Sequence, residues 1–260
     1  MLATRYLQER LLYRLSISPY HNHFLLKGGA LLYAHKRFMA RPTLDIDFMG
    51  QHIENDKENV KKVFAEICAT PYRQDGVTFH TETLRTYDIA AEKKYPGVRL
   101  SLSASIDTIR QDISMDIGFG DVVIPCPSEL DYPNLIDGFP AINILAYSLE
   151  TVIAEKFQTV IARAEANSRM KDFYDLYTIL QEGKYDSVVL SEAINATFEN
   201  RQTAYMDNHT VFSLDFANNT DLNIRWNSFV NKLRIQQKLT FPEVVCFLQA
   251  KLEPYWKMLK

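Results

Sequence analysis

Two aspartates separated by one residue on an alternating stretch constrain this chain more than any other feature. From Leu44 to Met49 the sequence reads Leu-Asp-Ile-Asp-Phe-Met. Leu44, Ile46 and Phe48 alternate with Asp45, Asp47 and Met49, which predicts a strand with one buried face and one face carrying two acids. Side chains at i and i+2 of a strand point the same way, with Cα atoms about 6.5–7 Å apart. Two ionised carboxylates that close repel each other. A cation between them removes the repulsion, and a divalent metal that prefers oxygen, such as magnesium, is the common solution. Taken alone, two acids on an exposed strand are usually just solvated.

The residues upstream sharpen that pattern. Phe24-Leu25-Leu26 is a short apolar run that stops at Gly28-Gly29, as a buried strand entering a turn does. Ala30 to Phe38 contains helix formers and no breaker, and Pro42 closes the connection. A diglycine turn lets the backbone approach a ligand closely. The helix start behind it offers free N–H groups and the positive end of a dipole, which suits a triphosphate. The order strand, diglycine, helix, acidic strand is far more specific than either half.

The rest of the chain divides in character. Residues 1–15 predict an amphipathic helix with Leu2, Tyr6, Leu7, Leu11, Leu12 and Leu15 on one side. Residues 54–68 predict a helix with Val60, Val63, Phe64 and Ile67 as its apolar stripe. Residues 76–91 and 97–106 read as strands. Another lies within Asp112 to Val123, where Ser114, Asp116 and Gly118 alternate with Met115, Ile117 and Phe119. Pro125, Pro127, Pro133 and Pro140 mark a connection, and the domain boundary is placed near residue 140. Helices follow at 148–166, 171–181 (ended near Gly183), 187–200, 222–236 and 240–251. The expected class is α+β: a mixed sheet with flanking helices over residues 1–140, then an all-helical domain over 141–260.

Composition removes several alternatives. The 260 residues are 47% hydrophobic and 23% charged, so long disordered stretches are not expected. A net charge of −3 gives no global attraction to nucleic acid. No run reaches the ~18 apolar residues of a membrane helix. The first residues, broken by Arg5, Arg10 and Arg14, lack a signal-peptide core. A soluble cytoplasmic protein is expected. Cys68, Cys126 and Cys246 form no CxxC pair and are expected to be buried free thiols. None of the six histidines sits at a metal-ligand spacing with cysteines.

A third acid and a helical motif complete the candidates. Asp116 lies mid-strand among alternating apolar neighbours, whereas Asp112 and Asp121 read as strand-end or turn residues. Further on stand Ala154-Glu155-Lys156-Phe157 and Arg169-Met170-Lys171-Asp172-Phe173-Tyr174-Asp175-Leu176. Asp172 and Asp175, at i and i+3, can face one way, and Lys171 can pair with Asp175. On spacing alone these are solvated helix faces with ion pairs worth about 0.3–0.5 kcal/mol each. Phe157, Phe173, Tyr174, Tyr177 and Phe198 fit core stripes better than base-stacking platforms.

The segments Lys27-Gly28-Gly29-Ala30-Leu31 and Arg41-Pro42-Thr43-Leu44-Asp45-Ile46-Asp47-Phe48 resemble the signature of the polymerase-beta-like nucleotidyltransferase superfamily. In its fuller form the pattern resembles the AbiEii/AbiGii-type nucleotidyltransferase toxins of bacteria. Asp116-Ile117-Gly118-Phe119-Gly120-Asp121, Glu155-Lys156-Phe157 and Lys171-Asp172 through Asp175-Leu176 resemble that family too. The likeness spans nearly the whole chain, with its specific motifs between residues 27 and 176. Ala30 removes one hydroxyl that would contact phosphate.

The resemblance implies Mg²⁺ held by Asp45, Asp47 and Asp116. It implies triphosphate contacts from Lys27, Gly28, Gly29 and Lys156, with Arg41 bracing the site. Asp172 would be an essential acid and Asp175 the next participant, and Asp116 or Asp172 would orient or deprotonate the acceptor hydroxyl. The helical domain would complete the active site. The acceptor implied is the 3′ end of a tRNA, the donor an NTP, and the outcome growth arrest or phage defence by a type IV-like toxin–antitoxin system. The partner implied is a cognate antitoxin, typically a transcriptional regulator encoded beside the toxin. Nucleotidylation of a protein side chain and a non-catalytic nucleotide-binding role remain open at this point.

Overall fold

The computed structural model describes residues 2–37, 40–89, 96–233 and 239–260. It forms two compact units, one of Met1–Asp121 with Pro127–Tyr147 and one of Val122–Cys126 with Ser148–Lys260.

The first unit contains α1 (Leu2–Ser16), β1 (Phe24–Lys27), α2 (Gly28–Lys36), β2 (Asp45–Gly50) and α3 (Lys57–Ala69). After these come β3 (Val77–Ile89), β4 (Gly97–Ile106), β5 (Ile109–Gly118), β6 (Ser128–Tyr132) and β7 (Ile142–Ala146). Among the described residues the strands form one sheet in the order β3-β4-β5-β2-β1-β7-β6. β2 runs parallel to β5 and β1 parallel to β7, while the other pairs are antiparallel.

Alternation gives the sheet one dry and one polar face around β2. Ile46, Phe48, Leu100, Leu102, Ile113, Met115 and Ile117 are buried, while Asp45, Asp47, Ser101, Ser114 and Asp116 between them are half-buried. α3 closes the dry side, where the rings of Phe24, Phe48 and Phe64 meet at centroid distances of 4.9–6.2 Å. Burying such aromatic side chains supplies much of a core's stabilisation.

Several expectations are corrected here. α1 is not a half-exposed amphipathic helix: Leu2 is exposed, while Arg10 and Arg14 are buried. Arg14 reaches Asp75 at 2.6 Å, while Arg10 donates through Nη2 alone, to Glu9 at 2.7 Å and Asn134 at 2.6 Å, and its buried Nε and Nη1 have no hydrogen-bond partner. Leu44, read as part of the buried face of β2, lies before the strand and is exposed. The strand read within 112–123 runs from Ile109 to Gly118. The proline-rich connection contains β6 and leads into β7, and both pair in the sheet. Phe38, residues 90–91 and residues 234–236, which the predicted elements included, lie outside the described residues.

The second unit contains α4 (Leu149–Arg163), α5 (Met170–Glu182), α6 (Ser187–Asn200), α7 (Leu214–Ala217), α8 (Thr220–Leu233) and α9 (Phe241–Met258). Their ends are written in the sequence. The Ser148 hydroxyl accepts from the Thr151 N–H, and the Asp186 carboxylate accepts from Val188 and Val189. Thr240 and Glu243 form a reciprocal capping box, and Gly183 closes α5 at φ 65°. α9 continues past residue 251, with Pro254 inside it. Phe157, Phe173, Phe216, Trp226 and Phe241 form the core.

The separate stretch Val122–Cys126 is held to the start of α4 through its backbone. The Ile124 N–H donates to Thr151 Oγ1 at 2.9 Å, and the Ile124 carbonyl accepts from Ser148 Oγ at 2.8 Å and Thr151 Oγ1 at 2.7 Å. Cys68 is buried as expected, and burial pushes its thiol up to about 12. Cys126 and Cys246 are exposed instead: Cys126 lies in the irregular stretch between β5 and β6, and Cys246 falls off the buried Val244, Val245, Leu248 and Leu252 stripe of α9. Among the described residues no helix is long and apolar enough to cross a membrane.

Candidate active site

The polar face of the first unit assembles its charges by strand register. Asp47 lies directly opposite Asp116 across the parallel pair β2–β5. Residues opposite each other in register project to the same face, on strands about 4.8 Å apart. Asp45, two residues before Asp47, shares that face and lies opposite Ser114. The three acids named from the sequence are therefore neighbours on one surface.

Arg99 sits among them and was not foreseen. It lies opposite Asp116 across β4–β5. Its Nε donates to Asp116 Oδ1 at 2.7 Å and its Nη2 to Oδ2 at 2.6 Å, the two-pronged geometry that a planar guanidinium favours. The bond to Asp116 holds Arg99 above its ordinary pKa, and the charges of Asp116, Asp45 and Asp47 push the same way. Arg99 thus feels all three carboxylates. In the sequence it looked like any surface arginine on an alternating strand, because its partner is a cross-strand neighbour.

The diglycine turn packs against the same acids. Gly28 has φ +66°, where a side chain is strained, and a Cβ there would lie 2.6 Å from Asp47 Cγ. A Cβ on Gly29 would lie 2.7 Å from Thr43 Oγ1. Thr43 in turn donates to the Asp45 carbonyl at 3.2 Å. Both glycines are needed for α2 to start hard against the acidic strand. Arg41 is half-buried in the connection between α2 and β2.

Lys27 ends β1 directly opposite Asp47. Its amine donates to Asp121 Oδ2 at 2.8 Å and to the Tyr147 hydroxyl at 3.4 Å, and lies 5.0 Å from the Tyr147 ring centroid. Asp121, read as a turn residue, is thus the partner of a site lysine. Tyr147 was not singled out either.

The second unit holds a separate cluster. Lys156 on α4 contacts Asp172 Oδ1 at 2.6 Å and Asp175 Oδ2 at 2.9 Å, both on α5. Arg169 Nε donates to Asp172 Oδ2 at 2.7 Å. The solvated helix faces allowed by spacing alone are not what forms: Asp172 and Asp175 are buried, and Lys156 nearly so. Burial pulls the Lys156 pKa down, but Asp175 and Asp172 outweigh it and hold the amine above its usual range. Burial likewise pushes Asp172 up, and Lys156 with Arg169 overcomes it, so the carboxyl is held below its usual range. Lys156 and Asp172 are thus held in their charged forms, each by the other.

The donor set on the sheet face suits a hard divalent cation, since Asp45 and Asp47 offer carboxylate oxygens on one side of one strand. The expected set of Asp45, Asp47 and Asp116 is not assembled as a metal cage. Both oxygens of Asp116 are engaged by Arg99. Among the described residues no group of three or more His, Cys, Asp or Glu side chains is arranged to hold a metal ion.

Comparison with known proteins agrees with the geometry. Residues 10–249 match the model of the family described as "Nucleotidyl transferase AbiEii toxin, Type IV TA system". A candidate nucleotidyltransferase from H. pylori shares the fold at a TM-score of 0.55 and 15% identity, over 99% of this chain and 95% of that one. JHP933 from Helicobacter pylori does so at a TM-score of 0.54 and 16% identity, over 99% and 92%. No curated protein matches. The chain belongs to the AbiEii nucleotidyltransferase toxin family and is a nucleotidyltransferase.

Proposed function

We propose that this protein moves a nucleotidyl group from a nucleoside triphosphate to an acceptor hydroxyl, with release of pyrophosphate. One observation carries the reading: Asp45, Asp47 and Asp116 share a polar sheet face, beside a turn whose Gly28 leaves room for the Asp47 carboxylate. Asp45 and Asp47, with Asp116 alongside, would hold Mg²⁺, which when bound neutralises triphosphate charge and polarises its phosphoryl oxygens. The start of α2, opened by Gly28 and Gly29, offers N–H groups and a positive dipole end to the phosphates. Arg41 and Lys27 add positive charge near that start.

The acceptor oxygen attacks the α-phosphorus as the bond to the pyrophosphate oxygen breaks. Asp116 is assigned to orient that hydroxyl and take its proton. Asp172, held in its charged form below the usual carboxylate range, is a poor proton acceptor and keeps Lys156 in place. Lys156, Asp172 and Asp175 are assigned to the same reaction, in a helical domain, because their motifs resemble the family's.

We propose a tRNA 3′ end as acceptor, action in the cytoplasm as a toxin or phage-defence factor, and as partner a cognate antitoxin, a regulator encoded nearby; membership of a type IV toxin–antitoxin family supports the antitoxin. The test is incubation with each labelled NTP, Mg²⁺, total tRNA and total protein, with Asp45→Ala as control. Label on RNA 3′ ends, lost in the control, is the expected result. Label on protein would replace the acceptor, and no label with any nucleotide would end the reading.

A further inference from the structure

One row of side chains crosses the polar face with a distinct charge order. By register it runs Arg99 on β4, Asp116 on β5, Asp47 on β2 and Lys27 on β1. Two acids stand side by side, flanked by two cations. Asp45 adds a third negative charge on the same face as Asp47. The flanking cations are not equivalent. Lys27 turns to Asp121 and Tyr147. Arg99 closes on Asp116 with both prongs.

Three carboxylates this close need positive charge whether or not a ligand is bound. Arg99 supplies part of it: its guanidinium is bonded to Asp116 and its charge also acts with those of Asp45 and Asp47. It also takes both Asp116 oxygens, so a cation approaching that carboxylate meets the guanidinium charge at each of them. The arginine side chain is 47% exposed, so little packing holds it in place. An exposed pair of this kind is weak enough to exchange.

We infer that Arg99 is a resident counter-ion of the acidic face at Asp116, and that a divalent cation must displace its guanidinium from Asp116 to bind there. Arg99 is a positioning residue: it keeps the three acids together on the face when no cation neutralises them. The exchange is purely ionic, with no bond made or broken. The inference rests on the proposal that this face takes a metal-bound triphosphate.

The experiment measures Mn²⁺ binding to the full chain without nucleotide, by the loss of the free-ion electron paramagnetic resonance signal. Wild type, Arg99→Ala, Arg99→Lys and Asp47→Asn are compared, with Asp47→Asn also combined with Arg99→Ala. Removing the competing fork is expected to tighten binding about tenfold in Arg99→Ala. Arg99→Lys, whose point charge cannot engage both oxygens at once, is expected to fall between. Asp47→Asn is expected to weaken binding in either background. Unchanged or weaker binding in Arg99→Ala, with Asp47→Asn still harmful, overturns the role of Arg99 alone. Binding indifferent to Asp47→Asn in both backgrounds overturns the cation face itself.

Discussion

The acidic face of the first unit and the lysine cluster of the second use similar charges under opposite conditions. On the face, Arg99 is 47% exposed and Asp116 21%. In the cluster, Lys156 is 11% exposed, Asp172 1% and Asp175 2%. Water screens the first pairing and competes for it, so a ligand can replace it at small cost. The second has little water to fall back on: losing Lys156 leaves two carboxylates short of a cation in a poor dielectric. The same salt-bridge chemistry therefore suits exchange in one unit and fixes two helices against each other in the other.

The sharpest way to break that contrast is Lys156→Ala. It removes the lysine shared by two buried carboxylates, with Asp172 keeping Arg169, and is expected to cost about 3–5 kcal/mol, read by urea unfolding of the whole chain. A cost under about 1 kcal/mol would put this lysine in the exchangeable class. The cluster also sets a pH window. Asp172 is held below its ordinary 3.8, so its contribution is present above that value and fades as pH falls through the lower folded pKa. Lys156 is held above its ordinary 10.5, so its contribution is present below that value and fades as pH rises through the higher folded pKa. Between these limits the cluster's contribution to stability should be flat.

Two glycines provide the next comparison, because they share a backbone angle and differ in surroundings. Gly28 has φ +66° with Asp47 against it, and Gly183 has φ +65° with nothing within 4 Å. Gly183→Ala should show only the backbone cost, about 1 kcal/mol. Gly28→Ala should add a clash with Asp47, reaching about 1–3 kcal/mol, and lower transfer activity as well. Equal losses in the two would mean that the Asp47 contact relaxes easily. The smallest effect belongs to Arg99→Ala, expected to change unfolding stability by less than about 1 kcal/mol. A larger loss would mean that the exposed fork is as structural as Lys156.

Local patterns made the centre of the first unit legible. Strict alternation around Asp45 and Asp47 marked a strand, and Gly28-Gly29 marked the turn, because both depend on nearest neighbours. Asp116 was found the same way. Arg99 was hidden because its meaning lies in a cross-strand register that no short window contains. β6 and β7 were hidden by Pro127, Pro133 and Pro140, which argue for loops, while both strands have only five residues. The depth at which Lys156, Asp172 and Asp175 are buried was equally invisible, since helical spacing says which face a side chain takes and not what covers it. Leu44 was misplaced because the strand starts one residue later than its alternation suggests.

The backbone crosses between the units at Asp121/Val122, at Cys126/Pro127 and again at Tyr147/Ser148. A gene cut at the last of these would leave the helical half without the five residues whose Ile124 amide and carbonyl satisfy Ser148 and Thr151. Separate expression of that half would need Val122–Cys126 returned as an added peptide or grafted ahead of Ser148. The two halves of this polypeptide are thus interlaced in sequence, joined at three crossings rather than along one clean seam.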